Sequence, residues 1–76
     1  MVELRHLRQF VALAEELHFG RAAARPHMTQ PPLTPNMQVL GMQVGGKLFD
    51  RSRFGVRSTP LGEMLAREGR AIVRRL

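Results

Sequence analysis

Cysteine is absent from this chain of 76 residues, which excludes disulfides and Cys-ligated metal or iron–sulfur sites. Long apolar runs are absent too. No stretch approaches the roughly 18 residues needed to span a bilayer, and the N-terminus has no signal-peptide layout. A reduced, cytoplasmic setting without a membrane partner is therefore expected. No nucleophile–base pair and no glycine-rich phosphate loop occurs. His6, His18 and His27 lack metal-ligand spacing and have no carboxylate grouped with them, so they read as surface or packing residues. No metal, no cofactor and no catalysis are expected. Internal repeats and low-complexity tracts are missing as well.

Acidic side chains are scarce: six Asp and Glu stand against 12 Lys and Arg, for a net charge of +6. That balance points to a polyanionic partner, nucleic acid first and an anionic surface second. What is present is globular in kind, at 43% hydrophobic and 24% charged residues. The length allows one small domain, which hides only about 60–65% of the surface of its unfolded chain and so has a modest stability.

Leu4, Leu7, Phe10, Val11, Ala14 and Leu17 recur at helical spacing, which predicts a helix over 4–17 with Glu15 and Glu16 on its wet side. His18, Phe19 and Gly20 read as a short break, with Gly20 free to take positive φ. A brief Ala-rich helix over 21–25 then ends before Pro26, and His27 and Met28 form a linker. Thr29 reads as the N-cap of a third helix starting at Gln30, with Pro31 and Pro32 in its first turn and Leu33, Met37, Leu40 and Val44 as its apolar stripe. A short helix, a tight turn and a second helix form a helix-turn-helix. After Gly45 and Gly46, residues 47–50 and 55–58 are expected to pair as a hairpin with Arg51, Ser52, Arg53 and Phe54 at its tip. The position of Phe54, exposed or tucked under the hairpin, is open at this point. Thr59 and Pro60 restart helix, whose seam is Leu61, Met64, Leu65, Ile72 and Leu76. The expected fold class is thus mainly α: a winged helix-turn-helix over 1–58, followed by a helix over 59–76 still running where the chain stops.

Five blocks in this order resemble one family: 4–10 (LRHLRQF), 19–23 (FGRAA), 29–34 (TQPPLT), 47–51 (KLFDR) and 56–63 (VRSTPLGE). Together they are similar to the N-terminal DNA-binding domain of LysR-type bacterial transcriptional regulators. The resemblance implies that the helix at Gln30 enters the major groove of duplex DNA. Gln30 suits the N6/N7 edge of adenine, Pro31 and Thr34 lie in the same reading segment, and Thr29 and Arg21 suit phosphates. Arg51, Arg53 and Arg57 make the wing a phosphate or minor-groove contact. Between residues 20 and 58, Arg21, Arg25, Lys47, Arg51, Arg53 and Arg57 face only Asp50, so +5 of the net +6 falls there. The last helix resembles a linker helix that pairs with its mate, which makes Leu61, Leu65, Ile72 and Leu76 the expected homodimer contacts. Leu61 and Leu65 are also placed to cover the core. The family's small-molecule effector domain would follow this segment and is not within it. The resemblance also implies a partly palindromic target with a T and an A flanking a spacer.

Four residues depart from the family pattern. Pro35 stands where arginine is usual, about six residues into a helix that starts at Gln30, where a proline costs about 3 kcal/mol. Pro26 replaces a leucine-like core residue, and Gly41 and Gly46 each cost roughly 0.5–1 kcal/mol relative to alanine inside an element. Two alternatives therefore stand beside sequence-specific DNA binding: a degenerate interaction module that dimerises without reading DNA, and a basic helix on a membrane or RNA surface.

Overall fold

The computed structural model describes residues 2–25, 28 and 32–75. Four helices and a two-stranded ribbon follow one another as α1 (Leu4–Glu16), α2 (Phe19–Ala23), α3 (Leu33–Val44), β1 (Phe49–Ser52), β2 (Gly55–Ser58) and α4 (Pro60–Arg74). The expected winged helix-turn-helix is the observed one. α1 buries Leu7, Phe10 and Val11 of the expected stripe, while Leu4 is exposed and Leu13, outside that stripe, is fully buried together with Phe10 and with Leu40 of α3. Leu48 and Phe49 close this core from the hairpin side, with the Phe10 and Phe49 ring centroids 5.4 Å apart at 43°. Ala66 closes it from α4. One polar link joins α1 to α3: the Asn36 amide donates to Oε1 of buried Gln9 at 2.8 Å.

Several boundaries differ from expectation. Leu17 is not the last residue of the α1 stripe; it is the left-handed C-cap, at φ 49°, and it is 41% exposed. The reason lies one residue on. His18 is extended and its Nδ1 accepts the amide of Arg21 at 3.0 Å, capping α2, so α2 starts at Phe19 and Gly20 is helical within it. His6, by contrast, is a packing residue, buried beside α1's own first turn.

The start of α3 changes the most. Its N-cap is Pro32, at ψ 77° outside the helical region, and its first bond runs from the Asn36 amide to the Pro32 carbonyl at 3.1 Å. Thr29 is therefore not the cap of this helix, and Gln30 is not its first residue. Thr29, Gln30 and Pro31 themselves lie outside the described residues, as do Pro26, His27 and Leu76. Pro35 becomes the third helical residue. Amides in that first turn have no intrahelical acceptor, so the expected proline penalty does not arise.

The glycines behave likewise. Gly45 caps α3 at φ 115°, and the amides of Gly45 and Gly46 both donate to the Gly41 carbonyl at 2.8 Å. The chain folds back so closely that a Cβ on Gly41 would collide with the Gly46 carbonyl. Gly41 is thus a requirement of this turn, and Gly46 lies in the turn rather than inside an element. The ribbon is shifted from the expected pairing. Phe49 pairs with Ser58, Arg51 with Val56 and Ser52 with Gly55, which leaves a tip of Arg53 and Phe54 closed by Gly55 at φ 119°. Residues 47 and 48 are therefore the approach to the strand. α4 begins as expected, with Thr59 as N-cap and Pro60 in the first turn.

Gly41→Ala should lower stability by about 1–3 kcal/mol despite its better helix propensity, because the added methyl overpacks a backbone contact. Pro35→Ala should change it by less than about 1 kcal/mol. Urea unfolding of both variants decides; a stabilised Gly41→Ala would mean that the turn after α3 yields.

Candidate nucleic-acid interface

α3 is a two-sided helix. Leu33, Met37, Leu40 and Gly41 face the core, whereas Thr34, Pro35, Gln38, Val39 and Met42 are exposed. Thr34, Gln38 and Met42 follow one another at steps of four and share one stripe. That stripe forms one wall of an open depression of about 660 Å³, with Phe19 of α2, Lys47 and Arg51 of β1 on the other sides. Its floor is apolar, from Met37, Gly41 and Phe49. The depression is the space between the exposed face of α3 and the base of the wing.

Cations are arranged around this space in unequal ways. Arg51 is not at the hairpin tip but within β1, paired with Val56, and its guanidinium carbon sits 4.1 Å from the centroid of the Phe19 ring. Arg53 is at the tip, 4.9 Å over Phe54, and Phe54 is 86% exposed rather than tucked under the hairpin. Arg57 pairs with Asp50 in the ladder, so strand alternation puts it on the opposite face of the ribbon from Arg51. Lys47 lies 3.7 Å from Asp50, an exposed pair of little strength. Arg21 is exposed on α2, 3.9 Å from Glu16. Arg25 belongs elsewhere: it meets Glu15 at 2.7 Å and Glu16 at 3.9 Å on α1, which subtracts it from the basic face expected over 20–58. Among the described residues, Arg51, Arg53 and Arg57 make no ion pair with a carboxylate.

The expected site residues therefore separate into groups. Thr34 and Arg51 share the depression, Arg53 extends from the wing tip, Arg21 lies on α2, and Arg57 is turned away from Arg51. Thr29, Gln30 and Pro31 fall outside the described residues. On α4, Leu61 and Leu65 are half-buried against the core, which leaves Ile72 and Met64 as its exposed large apolar side chains; Leu76 is again outside. Sequence reasoning missed Gln38, Met42 and Phe19 at this site, whereas Lys47 was counted in the basic face. The i, i+4, i+8 spacing from Thr34 was the available signal for the first two. Among the described residues no three potential metal ligands cluster. No helix among them is long and apolar enough to cross a membrane.

Comparison with known proteins bears on this geometry. Residues 4–63 match the family described as bacterial regulatory helix-turn-helix protein, lysR family. The chain is 50% identical over 72 residues to the uncharacterized HTH-type transcriptional regulator YnfL of Escherichia coli K12, covering 95% of this chain and 24% of that protein. It is 51% identical over 63 residues to the HTH-type transcriptional regulator AlsR of Bacillus subtilis 168, covering 83% of this chain and 21% of that protein. The chain thus spans about a quarter of the length of the curated relatives it matches. Among solved structures, it is similar to the CbnR DNA-binding domain in complex with DNA, with a TM-score of 0.84 and 37% identity over 96% of this chain and 84% of that one. It is also similar to the BenM DNA-binding domain bound to catB site 1 DNA, with a TM-score of 0.85 and 36% identity over 97% and 83% of the two chains.

Proposed function

The chain belongs to the lysR family of bacterial regulatory helix-turn-helix proteins, and from that premise we propose that it binds double-stranded DNA sequence-specifically in the regulation of transcription. The observation that carries this reading is the likeness, over more than four fifths of their length, to two domains whose structures contain DNA. The geometry described above gives it a mechanism. α3 enters the major groove with Thr34 and Gln38 toward base edges, and Gln30 is assigned to adenine N6/N7. Thr29 and Arg21 are assigned to backbone contacts that set register, and Pro31 to the reading segment beside Gln30. The wing carries Arg53 and Arg51 to adjacent phosphates or the minor groove, with Arg57 reaching backbone from the ribbon's other face. Arg51 over the Phe19 ring is directed toward the depression by that contact.

Two half-sites need two subunits. Our reading gives that role to the helix over 59–76, through Ile72, Leu76 and the half-exposed edges of Leu61 and Leu65. The interaction-module alternative rested on Pro26, Pro35, Gly41 and Gly46. Pro35 lies in the first turn of α3 and Gly41 and Gly46 belong to the turn that ends it, and the likeness to DNA-bound domains favours DNA binding. No enzymatic role enters this reading, since the relatives named above are transcriptional regulators.

Fluorescence anisotropy of a labelled palindromic duplex beside a scrambled one, at several salt concentrations, tests the function. Preference for the palindrome is expected; equal binding that collapses steeply with salt would leave only phosphate attraction and overturn it. Charge reversal of Arg51 and Arg53 should weaken binding to all sequences alike, and unchanged affinity would sink the wing assignment. Gln30→Ala should instead cost roughly 1–3 kcal/mol of discrimination between sequences. Ile72→Asp should weaken binding to the full palindrome while sparing a single half-site. Equal losses on both duplexes would remove the dimer from the mechanism.

A further inference from the structure

α3 carries no charged side chain anywhere between Leu33 and Val44. From this we infer, on the strength of the DNA-binding reading, that the outward face of α3 selects A·T pairs in the major groove, with thymine methyl groups as its main ligands. The four bases differ in what they ask of a protein in the major groove. Guanine presents two acceptors, O6 and N7, which Arg or Lys meets with paired donors; cytosine presents an amino donor, which a carboxylate meets. Neither residue type occurs on this helix. Adenine presents an acceptor beside a donor, which an amide matches, and thymine adds the only methyl group on the groove floor.

The exposed face of α3 fits the second pair of bases. Gln38 supplies the amide, and Thr34 a hydroxyl and a methyl. Met42 is 83% exposed and Val39 43% exposed, although neither is needed by the core. An unbranched thioether side chain left almost wholly in water is an unsatisfied apolar surface. Covering it with a thymine methyl removes both groups from water at once, a gain no polar base edge offers. Met42, Gln38 and Thr34 line one stripe, so successive base pairs along the groove meet them in turn.

The cations are spaced away from that stripe. Arg51 lies over the Phe19 ring and Arg53 over Phe54 at the wing tip, Lys47 stands beside Asp50, and Arg25 is held by Glu15 on α1. Lys47 and Arg51 line the depression from the side opposite α3, and none of the four projects from α3 itself. Affinity and sequence preference are thereby carried by different residues.

Selection of binding duplexes from a randomised pool by the full chain tests the inference, followed by replacement of thymine with deoxyuridine in the selected duplex. A·T pairs should be enriched at the positions facing α3, and each methyl lost from contact should weaken binding about fourfold. Met42→Ala, whose exposed side chain leaves the core untouched, should shrink the ratio of thymine to deoxyuridine affinities toward one. Enrichment of G·C pairs, or equal binding of the thymine and deoxyuridine duplexes, would overturn the inference and leave DNA binding standing. A Met42→Ala variant with the full thymine preference would also overturn it. Failure to enrich any sequence would overturn the reading of function and this inference together.

Discussion

The carbonyl of Leu48 is the point on which the interface depends. It accepts the amide of Thr59 at 3.0 Å, has the Thr59 hydroxyl 3.2 Å away, and lies against Gly62, where a Cβ would collide with it. That hydroxyl donates to the Lys47 carbonyl at 2.6 Å while accepting the Gly62 amide at 3.0 Å, so one side chain caps α4 and grips the chain entering the wing. The Leu48 side chain is buried in the core, 3.8 Å from where a Cβ on Gly41 would be. α3, the wing and α4 are thus joined through one residue pair and two glycines that permit close backbone approach. These short polar and steric contacts tie α3, the ribbon and α4 together.

With these elements joined, charge and shape divide their work. The ribbon is a two-stranded hairpin with Arg51, Arg53 and Arg57 exposed, too small to be stable alone and held at its base by Phe49 in the core. α3 is neutral and presents hydroxyl, amide and apolar groups. A cation on the helix would be drawn to the nearest phosphate of any duplex, whereas a neutral face gains only when base edges match it. The arrangement suits a protein whose phosphate contacts orient it and whose helix then discriminates.

The departures from the family pattern look different once placed in space. Pro35 and Gly41 are unfavourable residues by intrinsic helix propensity, and counted that way they tell against a working domain. The onset of α3 at Leu33 moves Pro35 into a turn with no bond to lose, and the return of the chain over Gly41 turns a missing side chain into a fit. Neither fact follows from propensity, which scores a residue without knowing where its element begins or what passes above it. Among the described residues Leu17 is the non-glycine at positive φ, 49°, a conformation that L-residues adopt unwillingly.

Local pattern was enough for much of this protein. The apolar spacing of Leu7, Phe10 and Val11, the Thr59–Pro60 start of α4, the turn at Gly45 and the basic wing were all legible, because each depends on neighbours within a few residues. So was the family, through five short blocks in order. The tertiary structure alone decided the rest. It put Arg51 on Phe19 rather than at the wing tip, gave Arg25 to Glu15, turned Arg57 to the far face of the ribbon, and brought Gln38 and Met42 to the depression. Those outcomes depend on strand register and on contacts between residues distant in sequence. A shift of the hairpin by two residues changes which side chain reaches the tip, and no local preference records it.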